Sequence, residues 1–281
     1  MSEKAVLHTI KHGSSGRGQS YYKAAHECGF RRAYYNGITQ NYNDSTYEQR
    51  VGIIMHNILE MYYDPTNARQ EIVVADDLFQ DPAVVEAWRL FAEYRSRFAN
   101  REWGTVIGVE YLITPTPLIL SRLGNVSGRL DMVVEMTAED VEAISMFRPD
   151  LLGIEPGVYI VDHKTSGMRK QPAQWRNELQ GILYMRLWEL MNPDKPCKGT
   201  IYNAIVTHKE LTDKSFYCVV QTMPRVPMDE LDATIQAFIT SGERLVQIGQ
   251  KNILSCVSSY GRECALLGTV CDPYDKSQKL T

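Results

Sequence analysis

Asp162 and Lys164 stand two residues apart in Tyr159-Ile160-Val161-Asp162-His163-Lys164-Thr165, an apolar and β-branched stretch. In a strand, residues i and i+2 share a face, so this carboxylate and this ammonium project into the same space. Upstream, Gly128-Arg129-Leu130-Asp131 opens a second apolar stretch and brings another carboxylate. Two carboxylates suit a hard divalent cation, because Mg²⁺ and Mn²⁺ prefer carboxylate and water oxygens. A lysine beside such an ion can orient or deprotonate a water, or offset negative charge on a phosphate. The same D-x-K spacing also describes a plain ion pair at a strand end, so the pair alone leaves both readings open.

Two further pieces accompany it. Gln180 and Tyr184 lie i, i+4 on the helix expected after the D-x-K strand, so their polar groups share one face. His56 sits inside Gly52-Ile53-Ile54-Met55-His56-Asn57-Ile58-Leu59-Glu60, an apolar helical pattern in which an imidazole needs a partner.

The elements that must position these groups follow from hydrophobic periodicity. Gln19–Tyr35 reads as an amphipathic helix rich in tyrosine and arginine, and Thr46–Tyr63 as a helix capped by Asp44 or Ser45. Asp81-Pro82 starts a third helix through Asn100. Thr105–Thr114, Leu118–Leu123, Val126–Met136 and Gly157–Thr165 are β-branched or alternating and read as strands. Pro172–Met191 is read as one helix, Thr200–His208 and Ser215–Gln221 as strands, and Met228–Gln250 as a last long helix. The order implies a mixed α/β domain, followed by an irregular, cysteine-bearing tail from Lys251 to Thr281. Thirty-one positions separate Asp131 from Asp162, more than a tight hairpin needs. The acidic segment Thr137–Pro156 accounts for the excess and is expected to form a solvated surface excursion containing a short helix.

The order His56, Gly128-Arg129-Leu130-Asp131, Asp162-His163-Lys164, Gln180-x-x-x-Tyr184 resembles the PD-(D/E)XK nuclease superfamily, and within it the RecB-type exonuclease branch. The resemblance spans roughly Tyr47 to His208 and implies a restriction-endonuclease-like core, a central mixed sheet flanked by helices. Carried over by position, it makes His56, Asp131 and Asp162 ligands to Mg²⁺ or Mn²⁺, with the backbone carbonyl of His163 as a further ligand. Lys164 would act on the attacking water, and Gln180 and Tyr184 would position the DNA backbone or the lysine. Glu110, in Val109-Glu110-Tyr111, resembles the acidic residue often found on the first strand and is a supporting residue. The implied activity is a metal-dependent deoxyribonuclease, an exonuclease acting on DNA ends or single strands. The resemblance leaves room for a helicase or recombinase partner. A structure-specific endonuclease, an RNase with the same site, and a non-catalytic DNA-binding scaffold are the alternatives; the intact Asp131, Asp162 and Lys164 argue against the last.

Cys28 followed by Arg31-Arg32-Ala33-Tyr34-Tyr35 resembles the opening of iron–sulfur nucleases of the AddB-like, CRISPR spacer-acquisition and phage exonuclease kinds. That resemblance implies that Cys28 joins Cys256, Cys264 and Cys271 in holding a [4Fe–4S] cluster that clasps the two ends of the chain. Four thiolates also suit structural zinc, and the C-x₇-C-x₆-C spacing is looser than the commoner C-x₂-C-x₅-C. Cys197 and Cys218 read as small residues at the start of a strand or within one.

Composition sets the outer bounds. The chain has 281 residues, 44% of them hydrophobic and 23% charged, with no apolar run near the ~20 residues of a membrane span. Residues 1–18 lack the apolar segment of a signal peptide, so a cytoplasmic protein with reduced thiols is expected. A net charge of −4 is not the footprint of a nucleic-acid binder, but the average is misleading. Residues 1–35 carry +4, and Thr137–Pro156 alone carries −4. The basic segment, with Tyr21, Tyr22, Tyr34 and Tyr35, could meet single-stranded DNA, or its tyrosines could be core. The expected organisation is a basic helical segment 1–45 with the first cluster cysteine, a nuclease core 46–250 with the acidic insert 137–156, and a C-terminal cysteine segment 251–281.

Overall fold

A computed structural model describes residues 4–7, 9–11, 22–23, 25–26, 45–67, 71–98, 103–207 and 210–247. In chain order these form β1 (Lys4–Leu7), α1 (Tyr47–Tyr63), β2 (Glu71–Val74), α2 (Pro82–Phe98), β3 (Thr105–Ile113), α3 (Pro117–Arg122), β4 (Gly128–Met136) and α4 (Ala138–Ser145). There follow β5 (Gly157–Ser166), α5 (Pro172–Arg176), α6 (Leu179–Met191), β6 (Cys197–Val206), β7 (Phe216–Gln221) and α7 (Met228–Gln247). The described residues belong to two compact units. The first draws on Met1–Ser14, Gln40–Ile113 and Arg129–Pro224, and the second on Ser15–Thr39, Thr114–Gly128 and Arg225–Thr281.

The first unit is built on a five-stranded sheet in the order β3-β4-β5-β6-β7, with a separate two-stranded pair β1-β2. β4 and β5 are antiparallel, β5 and β6 parallel, and β6 and β7 antiparallel. A parallel neighbour requires a crossover, which α5 and α6 supply between β5 and β6. β5 is central and every residue from Val158 to His163 is buried, as in a strand covered on both faces.

α1 begins where the chain closes a capping box. Thr46 Oγ1 accepts the Gln49 N–H, and Gln49 Oε1 accepts the Thr46 N–H at 2.9 Å, so Thr46 is the cap rather than Asp44 or Ser45. Its Val51, Ile54, Met55, Ile58 and Leu59 are buried with Ala87, Leu90 and Phe91 of α2 in one apolar cluster. A Cβ at Gly52 would lie 2.7 Å from Thr165 Oγ1, so glycine is what lets α1 press against β5. One turn on, on the same face, is His56.

The structure departs from the sequence expectations at three places here. Leu118–Leu123 is not a strand: Pro117–Arg122 is a short helix, because Thr116 caps the Ile119 N–H at 3.3 Å and Pro117 fits the first turn. Its alternation misleads because Leu118 and Leu120 are exposed at 47% and 46% while Ile119 is buried. The single helix over Pro172–Met191 is two, broken at Asn177 and Glu178, where the Gln221 amide donates to the Arg176 and Glu178 carbonyls at 2.7 and 2.9 Å. β5 runs Gly157–Ser166, one residue past the expected Gly157–Thr165. The acidic segment does contain the expected short helix, α4, yet it is not wholly solvated, since Arg148 within it is only 4% exposed.

In the second unit, Arg122 of α3 faces Asp232 of α7 at 3.8 Å, and His26 stacks on Phe238 with ring centroids 4.5 Å apart. Of the helix expected over Gln19–Tyr35, Tyr22, Lys23, Ala25 and His26 are described and are helical. Tyr22 is fully buried and its hydroxyl donates to the Asn125 carbonyl at 2.5 Å, which favours the core reading for that tyrosine. Tyr21, Tyr34 and Tyr35 lie outside the described residues, as do Cys28, Cys256, Cys264 and Cys271. Cys197 and Cys218 are buried free thiols at the first position of β6 and inside β7. No helix among the described residues is long and apolar enough to cross a membrane.

Candidate active site

The β4–β5 ladder runs from Met136 opposite Gly157 to Met132 opposite Val161. Beyond that pair the Asp131 side chain takes over: its Oδ2 accepts the His163 N–H at 2.8 Å. The same oxygen lies 3.2 Å from His56 Nδ1, which α1 delivers. Ligand atoms of His56, Glu110 and Asp131 all fall within 4.8 Å of one another, close enough to share one metal ion.

Glu110 reaches this group through an unusual backbone. It lies inside β3 with φ +46°, the one non-glycine residue with positive φ among the described residues. A side chain in the left-handed region costs about 1–2 kcal/mol, and such strain gathers at functional sites. Arg129 holds its carboxylate, Nη1 donating to Oε2 at 3.2 Å. The sequence gives Glu110 only a supporting place, because nothing in Val109-Glu110-Tyr111 marks a reversed backbone.

Asp162 stands outside this group of three and is 1% exposed. Lys164 Nζ lies 2.8 Å from its Oδ2 and donates to Oδ1 at 3.1 Å. The lysine also donates to Gln180 Oε1 at 3.2 Å, and the Gln180 amide donates to the Tyr184 hydroxyl at 2.9 Å. The i and i+4 positions of α6 thus form a short polar chain that ends on the lysine. α6 can approach closely because Gly181 leaves room: a Cβ there would lie 2.0 Å from Gln221 Oε1 and 2.5 Å from Tyr202 Oη.

The electrostatics follow from burying several charges together. Burial, then Asp131 and Glu60, push the Glu110 carboxyl up to about 7. Burial and the neighbouring Asp162 raise Asp131 as well. Burial and Lys164 lower His56, keeping its imidazole neutral and free to act as a ligand. Burial works against the Lys164 ammonium, but Asp162 and Asp131 outweigh it and hold its pKa above the ordinary lysine value. In the metal-free protein Lys164 is therefore a cation and a hydrogen-bond donor at neutral pH.

The residues fit a divalent cation on grounds of their own. Asp162 Oδ2 is buried and accepts no hydrogen bond, although the lysine lies beside it. Carboxyl groups raised by burial and then by one another's charge are the groups a cation would stabilise most. One imidazole with two carboxylates is a mixed donor set, suited to Mn²⁺ at least as well as to Mg²⁺.

The sequence model of the PD-(D/E)XK nuclease superfamily matches residues 19–252. The chain belongs to that superfamily, and its five-stranded mixed sheet with flanking helices is a restriction-endonuclease-like fold. Membership carries nuclease chemistry on nucleic acid, and nucleases of this kind use divalent metal ions. The crystal structure of SSO0001 is similar at 12% identity with a TM-score of 0.33, over 81% of this chain and 89% of that one. No curated protein matches.

Proposed function

We propose that this protein is a divalent-metal-dependent deoxyribonuclease, an exonuclease that hydrolyses phosphodiester bonds from DNA ends. The observation that carries the reading is the convergence of His56, Glu110 and Asp131 within 4.8 Å of one another, in a site that also holds the Asp162–Lys164 pair. The first three hold the cation, and Asp162 stands ready as a further carboxylate, with the His163 backbone carbonyl also near. A bound Mg²⁺ or Mn²⁺ supplies an activated water and offsets charge on the phosphate oxygens. Lys164 spends two N–H groups on Asp162 Oδ1 and Gln180 Oε1, which leaves a third for the attacking water or a phosphate oxygen. Gln180 and Tyr184 aim the lysine; with Tyr184 only 6% exposed, this role suits them better than contact with the DNA backbone.

The helical histidine and the Gln180-x-x-x-Tyr184 pair support the RecB-type branch, and hence action at ends. The setting this implies is recombination, repair or phage DNA metabolism, with a helicase or recombinase supplying the ends. Cys28, Cys256, Cys264 and Cys271 are read as ligands of a [4Fe–4S] cluster, with zinc as the alternative; this rests on the sequence alone.

Incubation with Mn²⁺ and end-labelled linear DNA, covalently closed DNA or RNA tests the reading. Linear DNA should be consumed from its ends while closed circles survive. Cleavage of closed circles would make the protein an endonuclease, and preferred loss of RNA would make it an RNase.

A further inference from the structure

Arg148 comes from the acidic insert and enters the core behind β5. Its main chain is set at the end of α4, the N–H donating to the Ile144 carbonyl at 2.8 Å. Two residues on, Asp150 Oδ2 accepts the Cys218 N–H at 3.2 Å and ties the insert to β7. The guanidinium lies 3.9 Å from the Phe98 ring centroid and 4.5 Å from that of Trp103. It forms no ion pair with a carboxylate among the described residues. A buried arginine is normally matched by a carboxylate, because desolvating a charge is costly. Here aromatic faces and neutral acceptors replace the carboxylate.

Those acceptors lead back to the site. Arg148 Nη1 donates to Asn203 Oδ1 at 3.0 Å and to Cys218 Sγ at 3.0 Å, and Nη2 donates to Tyr94 Oη at 3.0 Å. A guanidinium offers only donors, so it forces the amide oxygen of Asn203 to face it. The Asn203 amide nitrogen then points the other way and donates to His163 Nδ1 at 2.9 Å and to Tyr94 Oη at 3.1 Å. His163 must accept on Nδ1, so its ring carries the proton on Nε2. The Tyr94 hydroxyl, already accepting twice, donates its own proton to Tyr63 Oη at 2.8 Å. Tyr63 stacks on the His163 ring, with centroids 5.9 Å apart and planes 7° from parallel. Both routes from Arg148 end on the residue whose N–H binds Asp131 and which lies between Asp162 and Lys164.

We propose that Arg148 is a positioning residue for the active site: through Asn203 and through Tyr94 and Tyr63 it fixes the His163 ring, and so holds the β5 backbone that presents Asp162 and Lys164 and binds Asp131. The acidic insert is then the carrier of this cation. The proposal rests on the nuclease reading for its effect on turnover, but not for its effect on the His163 ring.

The test uses the full chain with Arg148→Met, read by long-range ¹H–¹⁵N spectra of the histidines and by steady-state hydrolysis of linear DNA with Mn²⁺. The wild-type His163 ring should show a single Nε2–H tautomer. In the folded variant that signal should change, and kcat should fall about 10- to 100-fold, the usual effect of removing an outer-shell partner. KM for DNA should stay within about twofold, since Arg148 does not face the substrate. A folded Arg148→Met protein with the wild-type tautomer and wild-type kcat would overturn the proposal. If that variant does not fold, Asn203→Asp carries the test, because its carboxylate pairs with Arg148 yet cannot donate to His163. The ring should then move its proton to Nδ1 with the same fall in kcat, and an unchanged ring and rate would again be contrary. A wild-type protein inert on all DNA would sink the nuclease reading, while the tautomer would still decide the role of Arg148.

Discussion

Asp131 Oδ2 accepts the His163 N–H at 2.8 Å just beyond the last backbone pair of the β4–β5 ladder. One carboxylate therefore does two things, satisfying a main-chain donor of the sheet and facing the proposed cation. The two can be separated by substitution. Asp131→Asn keeps an oxygen acceptor and removes a charge that its neighbours repel, so its urea stability at pH 8 should match or exceed wild type. Asp131→Ala strands the His163 N–H and should cost about 1–3 kcal/mol. Both variants should lose DNA hydrolysis, and only the alanine variant should lose stability.

Glu110 carries backbone strain that a glycine would relieve. Glu110→Gly should stabilise the metal-free protein by about 1 kcal/mol, as expected for a residue moved out of an unfavourable left-handed conformation. The same change removes a proposed ligand. Calorimetric titration with Mn²⁺ should show affinity at least about tenfold weaker. Destabilisation together with intact Mn²⁺ affinity would deny Glu110 its place.

The raised carboxyl pKa values fix the sign of the pH dependence. Between the ordinary 4.5 and about 7, the folded protein holds a proton on Glu110 that the unfolded chain has released. Stability of the metal-free protein should therefore fall as pH rises through that window, and Asp131 adds to the same trend. Mn²⁺ competes with these protons, so its affinity should climb over the same range and level off above it. Denaturation curves at several pH values, with and without Mn²⁺, would show the opposing slopes.

Gln180 hydrogen-bonds Lys164 and Tyr184, and among the described residues no hydrogen bond joins it to His56, Glu110 or Asp131. Gln180→Ala should lower kcat by about tenfold and leave Mn²⁺ affinity unchanged, the mark of a residue acting through the lysine. Tyr184→Phe, one bond further along the chain, should have a smaller effect in the same direction.

Much of this arrangement was legible in the sequence because it is local. Asp162 and Lys164 share a strand face by period two, and Gln180 and Tyr184 share a helix face by period four, as their contacts bear out. The apolar runs placed α1, α2, β3 to β7 and α7 within a few residues of where they lie. What failed depended on contacts across the fold. Leu118 and Leu120 mimic a strand because an exposed leucine looks the same in sequence as a buried one. The reversed backbone at Glu110 leaves no trace in its neighbours. Arg148 looked like one charge in a solvated loop, since Tyr94, Asn203 and Cys218 come from three other elements.

Hydrolysis of linear DNA by the wild type and by Asp162→Asn, side by side with Mn²⁺ and with a chelator, tests the central claim most directly. Asparagine keeps the shape and an acceptor for Lys164 while removing the charge, so folding should survive. The account predicts Mn²⁺-dependent degradation by the wild type, abolished by chelation and reduced about 10²- to 10³-fold in the variant. An Asp162→Asn protein that degrades linear DNA at the full rate would contradict it.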